Sequence, residues 1–81
     1  MSQRAKVIDR IKRNPGDVRF DDACKVAGWI GFERKGGSGS HVTFARSGER
    51  TILNFQNRNG RVLAYQVRQL LEMIEKYEDD L

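Results

Sequence analysis

The sequence predicts an α+β domain of order α(α)βββα, in which a three-stranded antiparallel sheet carries its helices on one face. Three observations predict it. Apolar residues recur at helical spacing near both ends of the chain, they switch to a period of two after Trp29, and turns rich in glycine separate the segments. At 81 residues there is room for one domain with one hydrophobic core, here taken as 1–81 with an amino-terminal helical extension at 1–16 and an acidic tail at 78–81. An apolar fraction of 38%, to which eight glycines add, belongs to a globular chain and not to a disordered one.

Residues 3–13 place Val7, Ile8 and Ile11 on one helical stripe among basic residues, and Asn14-Pro15-Gly16 stops the helix. Asp21 then reads as the cap of a second short helix. Phe20 staples back onto Cys24, Ala23, Cys24 and Ala27 line the buried face, and Gly28 supplies a left-handed stop. Trp29 reads as a core residue at the helix–strand junction. From there Ile30, Phe32 and Arg34 share one side of a first strand, Val42 and Phe44 one side of a second, and Leu53 and Phe55 one side of a third. The turns between them fall at 36–40 and 47–49. After the turn at 57–60, Val67, Leu70, Leu71, Ile74 and Tyr77 repeat at the spacing of a core-facing helix that begins at Ala64.

No apolar run approaches the ~18 residues of a membrane span, and the start of the chain is punctuated by charge, which predicts a cytoplasmic protein. The single cysteine, Cys24, has no partner for an internal disulfide and reads as a small core residue. One histidine leaves no ligand set for a structural zinc, and no metal or cofactor is expected. The net charge of +4 hides an asymmetry: residues 1–68 carry +8 and residues 69–81 carry −4. A polycationic body attracts phosphate polymers or an acidic protein, although solubilising charge is a common alternative.

The chain's one imidazole follows a glycine loop in the stretch ERKGGSGSHVTF. If Val42 and Phe44 point into the core, alternation turns His41 and Thr43 to the opposite face, away from the helices. An exposed imidazole can take or give a proton near neutral pH. The amides of Gly39 and Ser40 can approach an anion, and Arg34, Lys35 and Arg46 supply positive charge. These parts suit cleavage of a ribose phosphodiester, where a base takes the 2′-OH proton and cations stabilise the charge that develops at phosphorus. The loop lacks the Lys-Ser/Thr ending of a nucleotide-binding P-loop, and turn formation accounts for Ser38 and Ser40.

In order, VRF, DDACKVAGW, GFERK, GSHVTF, LNFQ and NGRVLAYQVRQLLEMIEKY resemble the HicA (YcfA-like) mRNA interferase toxins of bacterial type II toxin–antitoxin systems. The likeness covers about residues 1–77, and its most specific parts are Gly39-Ser40-His41 before an apolar strand and Tyr65-Gln66-Val67-Arg68-Gln69 opening the last helix. It implies a relative of the double-stranded RNA-binding fold, metal-independent cleavage of mRNA with His41 as the catalytic histidine, and inhibition by a HicB-type antitoxin that covers the His41 face. Val42 stands where members often carry a second histidine, and Leu63-Ala64 where they often carry Lys-Pro. Near the start of the last helix, Arg61 and Arg68 sit where that fold presents cations to phosphate; Arg68 is equally well spaced to pair with Glu72. The expected function is therefore an endoribonuclease toxin. A non-catalytic RNA-binding module and a docking surface for an acidic protein are the alternatives.

Overall fold

The computed structural model describes residues 2–80, and its elements follow the predicted order: α1 Gln3–Arg13, α2 Phe20–Trp29, β1 Glu33–Ser38, β2 His41–Ala45, β3 Leu53–Gln56, α3 Ala64–Tyr77 and a 3-10 turn at Glu78–Asp80. Helix α1 starts where the Ser2 hydroxyl accepts the Ala5 N–H at 3.1 Å, and it buries Val7, Ile8 and Ile11 as its stripe requires. Among the described residues, no helix is long and apolar enough to cross a membrane.

Both ends of α2 differ from the expectation. Asp21 does not cap the helix; it lies in the first turn, and Arg19 at the cap position makes no side-chain bond. The Phe20 N–H, one of the orphan donors at the start of the helix, is taken by the Gly60 carbonyl at 2.9 Å, so a distant segment satisfies it. Gly28 does not stop the helix either. The chain stays helical through Trp29, and the left-handed residue is Gly31 at φ 95, where a Cβ would press on the Arg46 guanidinium. Ala23, Val26 and Ala27 form the buried face, with Cys24 half-buried beside them.

The first strand also begins later than its apolar residues suggest. Ile30 and Phe32 are buried but belong to the end of α2 and its connection, while β1 itself is exposed throughout. Gly36, Gly37 and Ser38, expected in a turn, are strand residues paired with Thr43, Val42 and His41. The loop is thus only Gly39-Ser40, with Gly39 at φ 60 in the first loop position, where a II′ turn places glycine. Gly37, at φ 113, packs so closely on β2 that an added Cβ would lie 2.6 Å from Val42 Cα. The register shifts between Arg34 and Gly36, which makes Lys35 the extra residue of a bulge.

The sheet has the order β1-β2-β3, antiparallel throughout. Val42, Phe44, Leu53 and Phe55 face the helices and are buried, and the rings of Phe44 and Phe55 lie 5.8 Å apart. Val67, Leu70, Met73 and Ile74 of α3 join the same cluster, so a single core lies between the sheet and the helices. Fully buried side chains such as Phe55 and Leu70 contribute about 1.5–3 kcal/mol each to this packing.

Candidate functional site

Strand alternation places His41 on the open face of the sheet, and its side chain is exposed. Its cross-strand neighbours are Ser38 on β1 and Gln56 on β3. Thr43 and Asn54 pair on the same face, where the Thr43 hydroxyl donates to Asn54 Oδ1 at 3.2 Å. The Gly39 and Ser40 amides make no hydrogen bond among the described residues and are available to an anion. The Ser40 carbonyl is occupied, accepting the Asn57 N–H at 2.7 Å, and this bond ties the histidine loop to the turn that follows β3.

The cations expected around His41 are not all brought there. Arg46 lies just past the end of β2, five residues from His41 and about 17 Å away at ~3.3 Å per residue. Its guanidinium donates to the Ile30 carbonyl and stacks 3.8 Å over the Tyr77 ring. Lys35 pairs with Glu33 at 3.0 Å. Together with Arg46 these two line a hollow of about 530 Å³ near the far end of the sheet, whose lining does not include His41. Arg34 pairs across the strands with Phe44, which puts it on the helix-facing side. There it lies near enough to Cys24 to oppose the rise of that thiol's pKa, which burial first and Asp21 second push up to about 11. Cys24 is accordingly a protonated thiol at neutral pH and no nucleophile.

Arg68 stands exposed on α3 beside Pro15, Gly16 and Leu71, and among the described residues it forms no ion pair with Glu72. Arg61 is the one predicted cation that falls at the His41 end. It bridges Arg19 on one side and Arg58 on the other, and its Nε donates to Asp17. Arg19 and Arg58 were missing from the expected site. Arg58 was legible, because Asn59-Gly60 at φ 54 and 85 makes the two-residue I′ turn that pairs the residues flanking it. Arg19 was not, since its partner is 42 positions away in the sequence.

Two polar residues hold this end in shape. Gln66 of α3 is buried, its Oε1 accepting the Gln56 N–H at 2.9 Å and its Nε2 donating to the Tyr65 hydroxyl at 3.3 Å. The bond to Gln56 fixes the end of β3 directly opposite His41. Tyr65, 57% exposed, is a large aromatic surface at the start of α3. The arrangement as a whole is an open surface carrying an imidazole, free loop amides and clustered arginines. It can hold a phosphate chain and move a proton, and among the described residues no group of histidine, cysteine and carboxylate side chains is placed to hold a metal ion. Searches of family models, curated proteins and solved structures found no match to this chain.

Proposed function

We propose that the protein is an endoribonuclease of the toxin type, acting on mRNA with His41 as its general acid–base residue. One observation carries the reading: the His41 ring stands exposed on the open face of the sheet, beside loop amides that are free to donate. The resemblance of the GSHVTF and YQVRQ motifs to HicA toxins supports it. In the reaction, His41 takes the proton of a ribose 2′-OH and the oxygen attacks the adjacent phosphorus. The bond from phosphorus to the 5′-oxygen breaks as that oxygen takes a proton from water, giving a 2′,3′-cyclic phosphate and a 5′-hydroxyl end, and His41 returns its proton to solvent. The Gly39 and Ser40 amides meet the charge on the phosphoryl oxygens. The substrate supplies the nucleophile, so the chemistry as drawn uses no metal or cofactor.

A HicB-type antitoxin is the expected inhibitor. By covering the open face of the sheet it would occupy the place of the phosphate. Removing His41 tests the catalytic role. RNA cleavage by purified His41→Ala should fall about 10²–10⁴-fold, the usual contribution of one acid–base group, with the circular dichroism spectrum unchanged. Equal cleavage by a folded variant would remove His41 from the chemistry.

A second reading, an RNA-binding module without turnover, is favoured by a different observation: no hydrogen bond orients the His41 ring among the described residues. In that case the substitution weakens binding and no cleavage is seen in either protein.

A further inference from the structure

Beside the His41 loop, three arginines that the cleavage chemistry does not use lie in one row. Arg58 and Arg61 exchange backbone hydrogen bonds of 2.8 and 3.0 Å across the Asn59-Gly60 turn, so they are a directly opposed pair. Arg61 and Arg19 are opposed as well, flanked by bonds from Phe20 to Gly60 and from Val62 to Val18. Such pairs set Cα atoms about 5.5 and 4.5 Å apart, and opposed residues point to the same side. Val18 and Val62 are buried, so alternation sends Arg19 and Arg61 outward, and Arg58 goes with Arg61.

Three like charges directly opposed across a ribbon repel one another. Asp17 relieves this in part, through the Nε of Arg61. Asp21 is also close, but it belongs to the first turn of α2 and meets the positive end of that helix. Arg58 pairs with no carboxylate among the described residues. An anion shared along the row would offset the remaining repulsion, and guanidinium forks match phosphate oxygens in shape.

We infer that Arg19, Arg58 and Arg61 form a phosphate ladder that holds the RNA strand as it leaves His41. The inference rests on the reading that His41 acts on RNA, and it adds a second subsite to that reading. Placement favours it: Arg58 follows Gln56 by two residues, and Gln56 is the cross-strand partner of His41. That sets the first rung one strand over, its Cα about 8 Å from that of His41 by strand geometry. The hydrogen bond from Asn57 to Ser40 locks the two parts together. A polynucleotide brings a charge at every nucleotide and so suits a row of closely spaced cations. An acidic peptide would have to match it with neighbouring carboxylates on flexible stems.

The test uses the full chain carrying His41→Ala, so that RNA survives, and a labelled single-stranded RNA of about 12 nucleotides read by fluorescence anisotropy between about 50 and 200 mM salt. Adding Arg19→Gln, Arg58→Gln and Arg61→Gln together should weaken binding about tenfold or more and flatten the plot of log K against log salt by about 2, as three lost phosphate contacts require. Arg58→Gln alone, which breaks no ion pair among the described residues, should flatten it by about 0.7 and guards against a folding artefact. Unchanged affinity and slope in these variants would overturn the ladder while leaving the RNA reading intact. If the parent His41→Ala chain binds no RNA at all, both readings fall. If the variants lose polyglutamate binding and keep RNA binding, the row is a docking surface for an acidic protein.

Discussion

The two ends of the sheet are built from similar residues and use them in opposite ways. At the far end, cations are spent on the fold. Glu49, in the turn between β2 and β3, accepts from Lys76 at 2.7 Å, from the Tyr77 hydroxyl and from the Thr51 N–H at 2.8 Å, and its side chain is only 4% exposed. These bonds, Lys76 first, then Tyr77, hold its carboxyl down at about 2. They raise the pKa values of Lys76 and Tyr77 in return, and Arg46 closes the cluster from above the Tyr77 ring. At the near end, His41 and Arg58 engage no carboxylate among the described residues, and backbone pairing sets the arginines in place. A charge count cannot tell which cations the fold itself uses; the distribution of their partners does.

The contrast can be broken first by attacking the near end's backbone. Gly37→Ala forces an alanine to φ 113 and a Cβ into β2, costing about 1–3 kcal/mol for the backbone conformation alone. At ~4–8 °C per kcal/mol, melting should drop by at least about 4 °C, and RNA cleavage should fall with it as the Gly39-Ser40 loop loses its frame. A thermal melt of wild type and variant, paired with a cleavage assay, checks both.

Gln66→Leu is a narrower cut. It leaves the Gln56 N–H without its acceptor at a cost of about 1–3 kcal/mol, measurable as a lower urea midpoint. If the near end depends on that bond, catalysis falls further in Gln66→Leu than in a core variant of equal stability loss.

The smallest effect is expected from Glu49→Gln, which loosens only the far end. The folded carboxyl sits below its ordinary 4.5, so the clasp's stabilisation is complete above that value and is lost as pH falls toward about 2. The variant's stability should therefore fall less steeply than wild type across that acid window, with RNA cleavage at neutral pH unchanged. A variant that lost cleavage as well would show that the two ends are coupled.

How much of this was legible depends on whether the signal was local. The stripes of α1 and α3 and the alternation of Val42, Phe44, Leu53 and Phe55 encode burial directly, and the outward direction of His41 followed from them. Strand β1 has no such pattern, because ERKGGS buries nothing and is held chiefly by pairing with β2; its glycines look like a turn until a partner strand is present. The start of α2 was misplaced for a related reason, since the helix begins at Phe20, whose N–H is held from across the fold by the Gly60 carbonyl. The phosphate-binding set drawn around His41 grouped residues by nearness in sequence, whereas the pleat and the bulge send Arg34, Lys35 and Arg46 elsewhere.

That bulge has a consequence for the protein's behaviour in a crowded solution. Strand β1 is an outer strand, six residues long and wholly exposed, and a flat strand of that kind would offer its amides as a template on which other chains could assemble. The extra residue at Lys35 twists the row out of line, and the paired charges of Glu33 and Lys35 stand beside it. One misfit position thus makes the open rim of a small sheet a poorer template for strand addition.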